Sequence, residues 1–175
     1  EKKLGIISAG KSWLDTVHAL SLLGIDREEA EKYKLTTLKL GMVWPIDDGF
    51  VKDWADGLDK ILVVEEKRGL IESQVKEALY GMVNSPKIIG KHDDNGELLL
   101  PSNGVLDPII VGKAIANKLI GSSKSEKLEN ALNSISIGSR SEANSPAPDR
   151  IPYFCSGCPH NSSTKIPEGS IAYAG

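Results

Sequence analysis

Four short apolar runs, each separated from the next by enough chain for a helix, constrain this sequence more than any other feature. Residues 4–10 (LGIISAG), 36–40 (TTLKL), 61–64 (ILVV) and 87–90 (KIIG) have the length and β-branched content of strands. The run at 61–64 is apolar at every position, as a strand covered on both faces requires. Between the runs the spacing turns helical. Ser12 is placed to cap a helix, with Asp15 as an imperfect capping box, and Trp13, Val17 and Leu20 follow its apolar stripe to a C′ glycine at Gly24. Asp26 and Glu29 open a short polar helix that reaches Tyr33. A third helix starts at Asp47 or Asp48 and carries Phe50, Val51, Trp54 and Leu58; a fourth carries Leu70, Ile71, Val75, Ala78 and Leu79. Asn95-Gly96 marks a tight turn. Asp107-Pro108, an N-cap followed by proline, starts a helix with Ile110, Ala114, Ile115 and Leu119 on one face as far as Gly121. Strands alternating with helices predict an α/β fold: a three-layer α/β/α sandwich around a mainly parallel sheet, over residues 1–121.

Beyond Gly121 the composition changes. Residues 122–150 are rich in Ser, Asn and Pro and nearly lack large apolar side chains. They read as a linker, because so little apolar surface does not offset the entropy of ordering it. Leu128, Leu132 and Ile135 suffice for one or two marginal helical turns. Residues 151–175 resume a structured composition and hold both cysteines, in Tyr153-Phe154-Cys155-Ser156-Gly157-Cys158-Pro159-His160-Asn161. Two closely spaced thiols need further ligands or a fold around them, so the sequence reads as a piece of a longer polypeptide, ending just inside its next domain.

With 40% hydrophobic and 26% charged residues, the 175-residue chain has the composition of a soluble globular protein. Its net charge of −3 leaves no electrostatic footprint for nucleic acid. Lys2, Lys3, Lys32, Lys34 and Lys39 are interleaved with acids and read as solvated faces. No apolar run approaches the ~20 residues of a membrane span, and no signal-peptide core follows Glu1-Lys2-Lys3. A Cys-x-x-Cys pair outside a secretory context suggests thiols or metal ligands rather than a structural disulfide. The expected setting is cytoplasmic, with neither membrane nor nucleic acid as partner.

Residues 5–12 (GIISAGKS) fit the phosphate-loop pattern G-x-x-x-x-G-K-S/T. The physics of that loop argues otherwise. It must follow a strand and turn its backbone N–H groups toward phosphate, whereas Ile6 and Ile7 are stiff, apolar and themselves the strand. Only Glu1-Lys2-Lys3-Leu4 precede Gly5, and the companion run at 61–64 ends in Glu65 where a magnesium-holding Asp belongs. The competing reading is a strand, a tight turn at Gly10 and a capped helix. A nucleotide-binding module using Gly10, Lys11 and Ser12 stands as the alternative. Glu65-Glu66-Lys67-Arg68 ends the best strand, where α/β sheets place their sites, but an acid there also stabilises the helix that follows. The Cys155–His160 segment has three incomplete readings. Zinc wants four ligands, and His18 and His92 lack ligand spacing to it. A thioredoxin-like site belongs near the start of a fold. An iron–sulfur cluster takes four thiolates where the chain has two.

Taken in order, residues 4–15 (LGIISAGKSWLD), 41–45 (GMVWP), 61–68 (ILVVEEKR) and 153–161 (YFCSGCPHN) form a series that resembles indolepyruvate ferredoxin oxidoreductases, in particular their long fused form. These are thiamine-diphosphate-dependent 2-oxoacid:ferredoxin oxidoreductases. The resemblance implies a parent that decarboxylates an arylpyruvate, oxidises the intermediate, passes the acyl group to coenzyme A and sends electrons through 4Fe-4S clusters to ferredoxin. It implies thiamine diphosphate and Mg2+ as the other cofactors, and a homodimer. Residues 1–121 then look like a transketolase-C-terminal-like domain that packs against other domains of the same polypeptide. Residues 151–175 look like the first strand and loop of the thiamine-diphosphate-binding domain. Cys155 and Cys158 are implied as metal ligands; Gly157, Cys158 and His160 are equally placed to line the cofactor's diphosphate pocket. Pro159-His160 departs from the Cys-Gly pattern of the pyruvate branch, which leaves both open. The Gly-Asp-Gly that holds diphosphate through Mg2+ does not occur. No catalytic residue is therefore assigned, and the piece alone is expected to be inactive. A Cys-x-x-Cys thiol-redox module is the remaining alternative.

Overall fold

A computed structural model of the chain describes residues 3–120, 125–143 and 154–171. Two units form, Glu1–Ala143 and Asn144–Gly175. The first contains the strands β1 (Leu4–Ala9), β2 (Leu35–Leu40), β3 (Lys60–Val64) and β4 (Lys87–Ile89), parallel throughout in the order β2-β1-β3-β4. Its helices are α1 (Gly10–Leu22), α2 (Arg27–Lys32), α3 (Asp48–Ala55), α4 (Leu70–Ala78), α5 (Pro108–Ile120) and α6 (Glu126–Ala143). The second unit contributes one turn of helix, α7 (His160–Ser163). Among the described residues no helix is long and apolar enough to cross a membrane.

Successive strand residues feed two separate cores. Ile6, Leu62, Val64 and Ile89 face α1, α5 and α6 through Ala19, Leu23, Val111, Ile115 and Leu128. Ile7, Leu38, Ile61 and Val63 face α3 and α4 through Val51, Ala55, Ile71 and Val75. The expected three-layer α/β/α sandwich is the one observed. Residues Ile61, Leu62, Val63 and Val64 are all fully buried. At about 1.5–3 kcal/mol per buried aliphatic side chain, β3 supplies a large share of the hydrophobic stabilisation.

Several local signals act as the sequence implies. Asp107 accepts the Ile110 N–H at 2.8 Å to cap α5, and Asp47 accepts the Phe50 N–H at 2.9 Å to cap α3. Gly24 has φ +65, and Ile25 N–H bonds the Leu20 carbonyl while Gly24 N–H bonds that of Ser21, a full Schellman motif closing α1.

Three features differ from the sequence reading. Ser12 does not cap α1. The helix starts at Gly10, its N-cap Ala9 makes no side-chain cap bond, and Ser12 is buried inside the first turn. The face of α1 turned inward is Ser12, Asp15, Thr16 and Ala19, while Val17 is exposed. This face meets α5 at Gly112, where an added Cβ would be in ordinary van der Waals contact with the Ala19 Cβ, at 3.8 Å. Finally, the segment 122–150 is not linker throughout: α6 runs for 18 residues inside it. Leu128 is fully buried on the core, with Ala131, Leu132 and Ile135 packed beside it. Ser125 accepts the Leu128 N–H at 3.4 Å and is itself fixed by Tyr33 Oη at 2.8 Å. Gly121, read as the end of α5, and residues 144–153 of the linker and its boundary lie outside the described residues.

Candidate functional site

The strand order places a reversal of winding between β1 and β3, since β1 leads to β2 on one side and β3 to β4 on the other. Open α/β sheets bind ligands at such a point, outside the strand C-termini. Here the chain's own charges span it. Lys11 Nζ donates to Leu106 O at 2.6 Å, to Asp15 Oδ2 at 2.7 Å and to Glu66 Oε1 at 3.2 Å. An ammonium has three donors, and all three are used. Glu66 Oε1 also accepts the Leu106 N–H at 3.2 Å, so α1, the end of β3 and the segment before α5 are tied together. The Asp15 hydrogen bond lifts Lys11 above its ordinary pKa, and Lys11 in turn holds Glu66 below its own.

The first glycine of the phosphate-loop pattern has a packing role. A Cβ on Gly5 would stand 2.6 Å from both Leu58 Cδ1 and Trp54 Cη2, so α3 lies flat on β1 only because Gly5 is bare. Gly10, at φ +52, makes the turn into α1. Gly10, Lys11 and Ser12 are thus a turn, a spent cation and a buried helix residue.

Glu65 sits one residue before Glu66 and does different work. Its buried carboxylate accepts the N–H groups of Ile71 at 2.8 Å and Glu72 at 2.9 Å. It caps α4 from a distance, since Gly69 at the N-cap has no side chain to do so. Burial pushes Glu65 above its ordinary pKa, against those two N–H groups. Lys91, buried beside it, donates to the Glu65 carbonyl at 2.6 Å and the Pro101 carbonyl at 3.3 Å. Burial pushes Lys91 down. Glu72 accepts the Lys91 N–H at 3.0 Å and Lys76 Nζ at 2.6 Å. Burial pushes Glu72 up, but Lys76 and the Lys91 N–H outweigh it and hold the carboxyl below its usual range. Lys91 carries no sequence signal: no motif surrounds it, and only the fold gives it carbonyl partners.

In the second unit Cys155 and Cys158 flank a tight turn. Cys158 N–H donates to the Cys155 carbonyl at 3.0 Å, and Gly157 takes φ +80, which favours glycine. Cys158 Sγ lies 3.2 Å from His160 Nδ1, the His160 ring stacks on Phe154 with centroids 5.0 Å apart, and Asn161 Nδ2 donates to the Cys155 carbonyl at 3.0 Å. The structure thus brings Cys158 and His160 together, with Gly157 in the connecting turn and Cys155 across it. Both thiols are free. A 4Fe-4S cluster takes four thiolates, and among the described residues no three His, Cys, Asp or Glu side chains gather as a metal would need. Cys158 is half-buried and its described neighbours are exposed, so they form no enclosed cradle for a diphosphate. The described residues do not by themselves fit either group.

A family model described as the indolepyruvate oxidoreductase domain matches residues 1–142. The chain belongs to this family. It is 32% identical over 164 residues to the indolepyruvate oxidoreductase subunit IorA of Thermococcus kodakarensis, covering 93% of this chain and 22% of that protein. IorA of Methanothermobacter marburgensis is 31% identical over 160 residues, with 91% and 22% covered. IorA of Pyrococcus abyssi is 30% identical over 161 residues, again with 91% and 22% covered. The chain therefore spans about a fifth of the length of these curated relatives (22%). Among solved structures, a split-gene transketolase described as an inactive β4 tetramer aligns with TM-score 0.47 and 24% identity, over 67% of this chain and 38% of its own. The family reached from the ordered motifs is the family matched. The match runs to residue 142, through nearly all of α6, and so includes the helix that composition assigned to a linker.

Proposed function

We propose that this chain is a structural domain of an indolepyruvate oxidoreductase whose parent decarboxylates arylpyruvates oxidatively to aryl-acetyl-CoA and passes the electrons to ferredoxin. The observation that carries the structural role is the filled crevice: Lys11, Asp15, Glu66 and the Leu106 backbone bond one another where a ligand would otherwise sit. Thiamine diphosphate, Mg2+ and the iron–sulfur clusters then act in other parts of the parent. Gly157, Cys158 and His160 border the diphosphate pocket in this reading, with other parts of the parent supplying the rest of its lining. Cys155 and Cys158 as two ligands of a shared cluster is the competing assignment.

A docking face supports the same reading. The loop from β2 to α3 presents Met42 and Trp44, 60% and 65% exposed, with Phe50 and Leu70 alongside. It is held rigidly. The Ile46 N–H donates to Gln74 Oε1 at 3.1 Å, and Gln74 Nε2 donates to the Val43 carbonyl at 2.9 Å. Hollows of about 430 Å3, beside Trp44 and Leu70, and about 170 Å3, beside Met42 and Phe50, flank the loop. Large apolar side chains held out on a pinned loop suit packing against other domains of the same polypeptide.

The test is direct. The purified chain, supplied with indolepyruvate, coenzyme A, thiamine diphosphate, Mg2+ and ferredoxin, is expected to release no CO2 above background. It is expected to bind a hydrophobic dye, and less of it after Met42→Ser with Trp44→Ser. Turnover by the chain alone overturns the reading.

A further inference from the structure

At the opposite end of the sheet every strand enters through a lysine. Lys3, Lys34, Lys60 and Lys87 stand at the starts of β1, β2, β3 and β4. The pairing sets them nearly level: Leu4 lies opposite both Leu35 and Lys60, and Lys60 lies opposite Lys87. Neighbouring strands are about 4.8 Å apart, so the entries form a row roughly 15 Å long. A cavity of about 370 Å3 opens on this edge, lined by Lys3, Lys32, Lys34, Lys60 and Lys118. Asp59 is the acid of its lining, and Leu4, Leu119 and Tyr33 complete it.

Carboxylates outside the lining steady the ammonium groups. Lys60 bonds Asp94, Lys118 lies 3.1 Å from Asp93 and 3.8 Å from Asp94, and Lys32 lies 2.8 Å from Glu29. An ammonium has three donors, so one carboxylate does not saturate Lys32 or Lys60. This contrasts with Lys11, whose three donors all meet acceptors. Five lysines thus line the cavity, against Asp59 in its lining and Glu29, Asp93 and Asp94 beyond it.

We propose that this cavity binds a small molecule through a diphosphate or longer phosphate chain. Lysine is a compact point-charge partner for phosphate, and the volume is within the range of small-ligand sites, about 300–1,000 Å3. The buried Leu4 and Leu119 and the ring of Tyr33, held by its hydrogen bond to Ser125, offer apolar surface to the rest of the molecule. A concave site of this size favours a compact ligand over an extended polyanion. The proposal goes beyond the structural role above and is read by binding, not turnover, so the two fail separately.

Calorimetric titration of the chain with inorganic diphosphate at fixed ionic strength is expected to give saturable heat, with orthophosphate binding about tenfold more weakly or worse. Lys3→Gln combined with Lys32→Gln should weaken diphosphate binding about tenfold. Lys34→Gly should weaken it too, while relieving a left-handed residue at φ +55, so that loss there does not reflect unfolding. Lys52→Gln, on α3, should change nothing. Four outcomes overturn the proposal: no saturable heat, equal affinity for orthophosphate and diphosphate, unchanged affinity in the Lys variants, or tighter binding of polyglutamate than of diphosphate.

Discussion

At the C-terminal end of the sheet Lys11, Glu65, Glu66 and Lys91 tie separate elements together, whereas at the N-terminal edge five lysines line an open cavity and Lys32, Lys60 and Lys118 each meet a carboxylate outside its lining. For Glu65 and Lys91 the reason is burial. Glu65 and Lys91 are each 7% exposed, and a charge taken out of water is tolerated only when hydrogen bonds replace its hydration. Those groups are therefore committed to holding the fold. Lys32, on the surface of α2, stays 65% exposed while bonding one carboxylate, Glu29. The letters of a phosphate loop lie at the C-terminal end, where Lys11 already meets three acceptors.

The largest effect expected at the C-terminal end comes from Glu65→Ala. It leaves two buried N–H groups at the start of α4 without acceptors and should cost about 3 kcal/mol in urea unfolding. A loss under 1 kcal/mol would mean that water or a neighbour replaces the cap. Gly90→Ala comes next. Its Cβ would meet Glu72 Cδ at 2.9 Å, and displacing that carboxylate from the Lys91 N–H should cost about 2 kcal/mol. Thermal melts that do not shift would show that the network yields easily.

The pH profile sharpens the contrast further. Glu72 is held below its ordinary pKa, so its contribution is present above the usual carboxylate range and lost as pH falls through the lowered value. Glu65 is raised, so its contribution is complete at low pH and lost as pH rises through the raised value. Below about pH 4 the melting temperature of Glu72→Gln should fall less steeply than that of the native chain. Parallel slopes would remove Glu72 from the acid limb. A smaller change is expected from Lys11→Ala: a slight drop in melting temperature, and no heat with MgATP before or after the substitution. Saturable MgATP heat that disappears in Lys11→Ala would restore the nucleotide-binding reading. The smallest effect belongs to Lys32→Gln, which should leave the melting temperature unchanged even though diphosphate affinity falls.

The chain's order of elements was legible because its causes are local. The run at 61–64, the Asp107 and Asp47 caps and the Gly24 terminus each act within a few residues, and each does in the structure what its spacing implies. The family was legible from ordered motifs. Residues 126–143 misled because a helix with one narrow stripe is marginal alone; α6 forms where α5 and the core offer Leu128 a place to be buried. In the stripe of Trp13, Val17 and Leu20 the outcome is split: Leu20 packs beside the core, whereas Val17 is exposed because α1 turns Ser12, Asp15, Thr16 and Ala19 inward. Strand and helix periods were thus determined by the sequence itself, since they depend on neighbours along the chain. The use of each charge was decided only by tertiary structure. Parallel pairing gathers strand entries at one edge and strand exits at the other, joining Lys11 to Glu66 across 55 residues and bringing Lys3, Lys34, Lys60 and Lys87 into one row.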